Sequence, residues 1–164
     1  MSRIKFMNAE IDNLTMEETL QVVDILIQKQ KNAYVVTPNV DHIVKLESNE
    51  NLKKAYSEAD LILADGKPLI WVSKIYRKPI KEKISGSDLF PELCKHSAKK
   101  NYKMFFLGAK EGVAAKAAEK LKEKYKGLEI VGCYSPPMGF ENDSVELDKI
   151  TSLIKSVNPH ILIL

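Results

Sequence analysis

A carboxylate follows one of the wholly apolar segments of this sequence, in a position suited to acid–base chemistry. The run Leu61-Ile62-Leu63-Ala64 ends at Asp65, and Gly66 comes next. A carboxylate at the end of a dry strand is placed to serve as a general base, and the glycine permits a sharp turn and a close approach of a ligand. Asp-Gly is also a common turn pair, so a turn or helix-cap role explains Asp65 equally well.

Small, polar or rigid residues follow three other apolar segments. They are Thr37 and Asn39 after Tyr34-Val35-Val36, Gly108 and Ala109 after Met104 to Leu107, and Pro136 and Pro137 after Ile130 to Tyr134. In an open parallel sheet the carboxyl ends of the strands share one edge, and ligands bind outside that edge. We therefore expect the four strand ends to converge on a pocket.

Each of these residues also has an ordinary structural explanation. Thr37 and Asn39 can hydrogen-bond a sugar or orient the base, or they can cap the helix that follows. The backbone N–H groups of the Gly108 turn suit a diphosphate. That turn lacks the GxGxxG and Walker patterns, so a tight strand-to-helix connection is at least as good an explanation. The Pro136-Pro137 loop either walls a pocket or ends a strand.

Strand-like and helix-like segments alternate along the chain, which positions these residues. Apolar runs predict strands over Arg3 to Met7, Ala33 to Val36, Leu61 to Ala64, Lys103 to Leu107, Glu129 to Tyr134 and His160 to Leu164. Amphipathic periodicity and cap residues predict helices from Thr15 to about Gln30, Val40 to Ala59 with a break near Ser48 and Asn49, one holding Pro68 to Ile75, Ser87 to Lys100, Glu111 to Lys126 and Asp143 to about Val157. Thr15 with Glu18, and Asp143 with Glu146, have the spacing of capping boxes that open two of these helices. The fold class predicted is α/β: a three-layer Rossmann-like fold with a mainly parallel sheet flanked by helices.

Composition narrows the class of protein. The 164 residues suffice for a single domain, and a net charge of +3 without a basic stripe argues against nucleic acid as a partner. Cys94 and Cys133 form no CxxC pair, which is typical of a reduced, cytosolic protein. No apolar run approaches the ~20 residues that span a bilayer. A basic cluster at Lys74, Arg77, Lys78, Lys81 and Lys83 is either a solvated face or a contact with anionic lipid or a diphosphate.

Several motifs for metal ions and nucleophiles do not occur in the sequence. The three His and two Cys have no metal-ligand spacing, and there is no Asp-x-Asp and no Gly-x-Ser-x-Gly. We therefore expect neither a metal site nor a cofactor. A nicotinamide-binding Rossmann protein and a non-catalytic binding module are the rival interpretations, although the missing GxGxxG counts against the first.

Five segments together resemble a known family. They are TPNVDHIVKLESNENLKKAYSEADLILADGKPLIW, ISGSDLFPELC, MFFLGAKEGVAAKAAEKL, GCYSPPMGF and VNPHILIL. In this order and with these gaps, they resemble the WecG/TagA/CpsF glycosyltransferases over nearly the whole chain. The resemblance implies an inverting, metal-independent transfer of N-acetylmannosamine from UDP-N-acetylmannosamine to undecaprenyl-diphosphate-linked N-acetylglucosamine, with a β-1,4 linkage, in wall teichoic acid synthesis. A different lipid-linked sugar as acceptor is the alternative within the family.

The resemblance also implies roles for individual residues. Asp65 matches the catalytic base and Thr37 a catalytic-pocket residue. The positions matching the substrate-binding motifs are Asn39, Gly66, Lys83, Gly86, Asp88, Gly108, Ala109, Gly132, Pro136 and Pro137.

Two departures from the family pattern affect these expectations. Lys83 stands where the family usually has Arg, so the bidentate hydrogen bonding of a guanidinium is lost. The family continues beyond the last strand with a Gly-x-Pro-x-Gln-Glu motif and a basic tail. We therefore expect residues 1–164 to be a single glycosyltransferase domain truncated at its C-terminus. We expect the protein to lie at the inner face of the cell membrane as a peripheral protein, mainly through that tail, and a homo-oligomer is compatible with the sequence.

Overall fold

A computed structural model describes residues 3–6, 8–30 and 32–164. The strands are β1 (Arg3–Phe6), β2 (Ala9–Asp12), β3 (Val35–Val36), β4 (Leu61–Ile62), β5 (Lys103–Leu107), β6 (Glu129–Tyr134) and β7 (Ile161–Ile163). The helices are α1 (Met16–Gln28), α2 (Val40–Lys45), α3 (Glu50–Ser57), α4 (Lys67–Ile75), α5 (Gly86–Lys100), α6 (Val113–Lys124) and α7 (Ser144–Val157), with a 3-10 turn at Phe140–Asn142. The chain divides into two compact units, Met1–Pro91 (unit 1) and Glu92–Leu164 (unit 2), which are described separately.

Unit 1 contains a parallel pair of strands and an antiparallel hairpin. β3 and β4 pair in parallel, with Val35 opposite Leu61. β1 and β2 pair as a hairpin, with Ile4 opposite Ile11. The sequence predicts β1 but not β2, and the Met7 end of the predicted strand lies outside the described residues. Ile11, fully buried, joins Ile62, Leu46 and other apolar side chains in the core of this unit.

Side-chain caps explain where the helices of unit 1 begin. Thr15 and Glu18 form the predicted capping box, in which each side chain accepts a hydrogen bond from the other residue's backbone N–H. Asn49 caps α3 by accepting from the N–H of Leu52. The predicted break near Ser48 and Asn49 is thereby confirmed, because a second helix starts there.

Unit 2 is built on a parallel sheet in the order β6-β5-β7. Met104 of β5 lies opposite Ile130 of β6 on one side and Ile161 of β7 on the other. Phe105 is buried between the sheet and α7, where it packs with Ile150 and Leu153. The sequence predicts β5 and β6 with the bounds that the structure shows, because each is a run of apolar or small residues that follows a single charged residue.

The structure confirms the predicted α/β class, with parallel strands flanked by helices. Hydrogen bonds join β3 to β4 and β5 to β6 and β7, so the four strand ends fall in two sheets, two in each. The convergence of all four strand ends on one edge of a sheet remains a prediction. The organisation of residues 1–164 as a single domain also remains a prediction. The helix predicted from Glu111 begins later, at Val113, because Gly112 takes a left-handed conformation with φ 77°.

Candidate active site

The segments after β3 and β4 run side by side in unit 1. The N–H of Leu63 donates to the carbonyl of Val36 at 2.9 Å, and the N–H of Asp65 donates to the carbonyl of Pro38 at 2.9 Å. Pairing therefore continues past both strands, and it brings the Thr37 segment next to Asp65. The prediction that these two strand ends meet is confirmed.

Asp65 has a carboxylate that is not engaged by other groups of the described part of the chain. Its side chain is half-buried, and within residues 3–6, 8–30 and 32–164 no protein group forms a hydrogen bond or ion pair with its carboxylate. The N-cap of α4 is Gly66, at φ 104°, and α4 has no side-chain cap. The helix-cap interpretation of Asp65 is therefore wrong, and its carboxylate keeps its hydrogen-bonding capacity for a ligand.

Asn39 and Thr37 differ in whether their polar side-chain atoms form hydrogen bonds within the protein. Asn39 is the N-cap of α2, and its side-chain oxygen accepts from the N–H of His42 at 3.1 Å. The cap interpretation is thus correct for Asn39, and its amide nitrogen forms no hydrogen bond within the described part of the chain. The Thr37 hydroxyl has no partner in the described part of the chain. A Cβ added at Gly86 would lie 3.9 Å from that hydroxyl, so the start of α5 adjoins Thr37.

A capping box holds Lys83 and Asp88 in place at the start of α5. The N–H of Asp88 donates to the hydroxyl of Ser85 at 3.2 Å, and the N–H of Ser85 donates to the Asp88 carboxylate at 3.1 Å. Lys83 forms an ion pair with the same carboxylate. Hydrogen bonds from Lys83 and then Ser85 lower the pKa of Asp88 to about 2. The N–H of Ile84 donates to the carbonyl of Ala64, which ties this segment to the strand leading to Asp65.

The Asp88 carboxylate is therefore engaged within the protein, and its predicted contact with substrate stays a prediction. Ser85 was absent from the predicted site, yet it is the residue that organises this turn. The Ser-x-x-Asp spacing of Ser85 and Asp88 is a capping-box signal, and it could have been found from the sequence.

In unit 2 the ends of β5 and β6 also meet. The N–H of Gly108 donates to the carbonyl of Tyr134 at 2.8 Å, and the hydroxyl of Ser135 donates to the carbonyl of Gly108 at 3.3 Å. Gly108 and Ala109 both have positive φ, 115° and 61°, so the chain turns sharply before α6. The structure thus brings the Gly108 turn next to the residue that precedes Pro136 and Pro137.

Gly132 has a packing explanation that the sequence did not reveal. It lies within β6, and a Cβ placed on it would approach Cε2 of Phe105 to 2.6 Å, closer than real Cβ atoms come. Phe105 is only 1% exposed and cannot move aside easily. The predicted role of Gly132 in substrate binding remains a prediction, and close packing accounts for the glycine without it.

The sequence model of the glycosyl transferase WecG/TagA/CpsF family matches residues 4–164. The chain belongs to this family. A relative from Bacillus spizizenii, named N-acetylglucosaminyldiphosphoundecaprenol N-acetyl-beta-D-mannosaminyltransferase, is 31% identical over 153 residues, which are 93% of this chain and 57% of the relative. A Staphylococcus aureus protein of the same name is 23% identical over 129 residues, which are 77% of this chain and 51% of that protein. The chain spans about half the length of these relatives.

Two further features of this WecG/TagA/CpsF family member bear on the site. Among the described residues, no group of three or more His, Cys, Asp or Glu side chains is arranged to hold a metal ion. In the same part of the chain, none of the helices combines the length and the apolar character needed to cross a bilayer.

A polar cluster at the end of β6 was also missed by the sequence predictions. The Tyr134 hydroxyl donates to the Glu146 carboxylate at 2.5 Å, and the Lys149 ammonium lies 4.6 Å from the centre of the Tyr134 ring. The cluster joins β6 to α7 directly before the Ser135 loop. The sequence predicts that Glu146 closes a capping box with Asp143. Asp143 does cap α7, but the Glu146 carboxylate is engaged with Tyr134 instead.

Proposed function

We propose that this chain carries out an inverting transfer of N-acetylmannosamine from UDP-N-acetylmannosamine to undecaprenyl-diphosphate-linked N-acetylglucosamine, forming a β-1,4 linkage in wall teichoic acid synthesis. Family membership and the names of the relatives from Bacillus spizizenii and Staphylococcus aureus support the reaction class and the acceptor. The single observation that carries the proposal for this chain is the Asp65 carboxylate, half-buried at the end of β4 and without a protein partner among the described residues.

The chemistry assigned to Asp65 is proton removal from the acceptor. The carboxylate takes the proton of the acceptor 4-hydroxyl as that oxygen forms a bond to the anomeric carbon of the donor sugar. The bond from the anomeric carbon to the diphosphate oxygen breaks, and UDP leaves with the bonding electron pair. Attack from the face opposite the leaving group inverts the anomeric centre. Thr37 and the amide nitrogen of Asn39, on the neighbouring segment, are proposed to hold the sugar beside this base.

The departing diphosphate needs positive potential, which we propose that backbone groups supply. Gly112 caps α6 in a left-handed conformation without any side-chain hydrogen bond, so the first N–H groups of α6 lack a side-chain acceptor. Such N–H groups and the helix dipole stabilise a diphosphate. The Lys83 ammonium is proposed to contribute as well, sharing its charge between Asp88 and the ligand.

The decisive experiment replaces the proposed base. Asp65→Asn keeps the shape of the side chain but cannot accept the proton, so the transfer rate should fall about 10²- to 10⁴-fold. The measurement is transfer of radiolabelled N-acetylmannosamine to a lipid-diphosphate acceptor, with the thermal unfolding midpoint as a check of folding. Asp148→Asn, at an exposed position of α7, is the matched control and should retain its rate. A rate near that of the wild type for Asp65→Asn would remove Asp65 as the base.

Metal independence is tested by a separate assay. If backbone N–H groups and cations stabilise the leaving UDP, EDTA should leave the transfer rate unchanged. A strict requirement for manganese or magnesium, restored by adding the ion back, would contradict the metal-free mechanism while leaving the assignment of Asp65 open to its own test.

The acceptor also sets the proposed location. Because its undecaprenyl chain is embedded in a bilayer, we propose that the protein works as a peripheral protein at the inner face of the cell membrane. A homo-oligomer remains part of the proposal and is tested by sedimentation of the purified protein.

A further inference from the structure

The outer side of α4 exposes large apolar side chains that the core does not cover. Trp71 is 63% exposed, Ile75 is 78% exposed, and Tyr76, directly after the helix, is 61% exposed. Trp71 and Ile75 are four residues apart, so they lie on one side of the helix. Exposed large apolar side chains that cluster in this way indicate a contact surface.

The opposite side of α4 is fixed in the core of unit 1. Leu69 and Ser73 are buried, and the Ser73 hydroxyl donates to the carbonyl of Ile70 and accepts from the N–H of Ile80. A rotation of the helix that buried Trp71 would expose Leu69 and break the hydrogen bond between Ser73 and Ile80. The packing of the inner side therefore keeps Trp71 on the outer side.

Positive charges surround these exposed residues, and negative charges are missing from the same segment. From residue 67 to residue 81 the sequence contains no Asp or Glu, and its cations are Lys67, Lys74, Arg77, Lys78 and Lys81. Lys81 pairs with Glu18, and the Lys78 ammonium donates to the carbonyl of Lys5. Within the described residues, Lys67, Lys74 and Arg77 have no ion-pair partner.

Arg77 occupies a backbone position at which glycine is usually favoured. The N–H of Lys78 donates to the carbonyl of Ser73, and the N–H of Arg77 to the carbonyl of Lys74, which is the hydrogen-bond pattern of a Schellman motif. In this motif Arg77 has φ 55°, a left-handed conformation that is unfavourable for a residue with a Cβ. The strain puts an exposed guanidinium next to Tyr76 at the end of the face.

We propose that this basic–aromatic face, defined by Lys67, Trp71, Lys74, Ile75, Tyr76 and Arg77, docks on the surface of an anionic lipid bilayer. Tryptophan and tyrosine rings favour the boundary between lipid headgroups and acyl chains, and isoleucine favours the acyl side. Lysine and arginine around them are attracted to anionic headgroups. The uniform positive charge of the segment favours this occupant over an apolar protein surface.

The position of α4 connects this docking to the reaction, a step that rests on the proposed function. α4 begins at Lys67, directly after Asp65 and Gly66, and Trp71 lies only about 6 Å along the helix from Lys67 at 1.5 Å per helical residue. A bilayer that contacts Trp71 therefore lies close to the proposed base. A sugar attached to a lipid by a diphosphate would lie at the surface of this bilayer, close to the proposed base.

The experiment uses Trp71, the only tryptophan of the sequence, as its own reporter. The 164-residue chain is mixed with vesicles of phosphatidylcholine alone or with phosphatidylglycerol added. Docking predicts sedimentation with the anionic vesicles, a blue shift of the tryptophan emission, and quenching by brominated acyl chains. The readout needs neither donor nor acceptor, so it can succeed when the transfer assay fails, and the reverse.

Two matched triple variants decide whether the face itself is responsible. Lys67→Gln, Lys74→Gln and Arg77→Gln together should weaken partitioning onto anionic vesicles roughly 100-fold, since each cation at an anionic surface contributes about fivefold. Lys116→Gln, Lys120→Gln and Lys126→Gln remove three charges at exposed positions in and after α6 and should change partitioning less than fivefold. Ile75→Ala keeps the reporter and should reduce both partitioning and the blue shift.

Three outcomes overturn the proposal. The first is no binding to anionic vesicles. The second is an equal loss in the two triple variants, which indicates attraction by overall charge. The third is a blue shift that depends on protein concentration without lipid, which indicates that a second copy of the chain covers Trp71.

Discussion

Two aspartates of unit 1 show how environment separates a structural carboxylate from a candidate catalytic one. Asp88 accepts hydrogen bonds from Lys83 and from both the N–H and the hydroxyl of Ser85. Asp65 has no such partner among the described residues. The first carboxylate stabilises the start of α5, whereas the second keeps the hydrogen-bonding capacity that the proposed role as a base requires.

The difference gives a prediction for Asp88. Its pKa is about 2 in the folded protein, below the ordinary value of 3.8. Ionised Asp88 therefore stabilises the fold fully above about pH 4, and this contribution is lost as the pH falls toward about 2. Because the side chain is 41% exposed, water screens the interaction, and we expect less than about 1 kcal/mol.

Urea unfolding between pH 2 and pH 5 checks this contribution. Asp88→Asn should lower the free energy of unfolding at pH 5 and flatten its dependence on pH in that window. Lys53→Gln, which removes an exposed pair with Glu50, is the control and should leave the acid-side slope as in the wild type. An unchanged slope in Asp88→Asn would show that the capping box does not shift the titration of Asp88.

A substitution at Gly132 tests whether close packing, rather than substrate binding, explains this glycine. Gly132→Ala forces a methyl group into the ring of Phe105, so we expect about 1–3 kcal/mol of destabilisation. Phe105→Leu in the same chain should recover part of that loss, because it removes the ring atoms that the methyl meets. Urea denaturation of the single and double variants measures the effect. An unchanged free energy of unfolding in Gly132→Ala would contradict the packing explanation.

At the scale of an element, the end of α4 has an exposed arginine in a strained backbone conformation, which lowers the stability of the fold. Arg77→Gly relieves the left-handed strain, so we expect the free energy of unfolding to rise by about 0.5–1 kcal/mol. Arg77→Ala keeps a Cβ at φ 55° and serves as the control, which should bring no such gain. Thermal unfolding measures both. A loss of stability in Arg77→Gly would mean that the guanidinium itself stabilises the fold.

The elements that the sequence predicts well are those with local signals. The capping box at Thr15 and the break at Asn49 follow from side chains within four residues of the backbone groups that they cap. β2 was missed because its four residues, Ala9–Asp12, include two carboxylates. The buried Asp12 is explained only by distant partners, since it accepts from Arg3 and from the N–H of Ile62. No pattern within β2 encodes those contacts.

At the scale of the whole molecule, the same limit applies to the candidate site. The rule that ligands bind at the ends of parallel strands correctly identified Asp65 and the Gly108 turn as strand-end residues. The sequence left Asn39 open between sugar binding and capping of the following helix, and the structure shows the cap. The sequence could not reveal that Gly132 accommodates Phe105, because that contact depends on which side chain folding brings near. The strand ends fall in two units, those of β3 and β4 in unit 1 and those of β5 and β6 in unit 2, and within each unit the two ends are joined by hydrogen bonds.

The division into two units gives a prediction about which unit a destabilising substitution affects. Arg3 donates to both oxygens of Asp12 at 3.1 Å and to the carbonyl of Ala59 at 3.2 Å, and all of these atoms belong to unit 1. Asp12 is only 3% exposed. Arg3→Met leaves the Asp12 carboxylate with the N–H of Ile62 as its remaining partner among the described residues, so we expect the free energy of unfolding to fall by about 2–3 kcal/mol.

Hydrogen exchange can locate that loss. Backbone amides of β4 in unit 1 should exchange faster in Arg3→Met, while the amides of β5 provide the reference for unit 2. Replacing both partners, Arg3→Met with Asp12→Leu, removes the unpaired charge and should restore part of the protection in β4. Equal acceleration in β4 and β5 would contradict the prediction, because it would mean that the two units open in a single cooperative step although the contacts of Arg3 all lie in one of them.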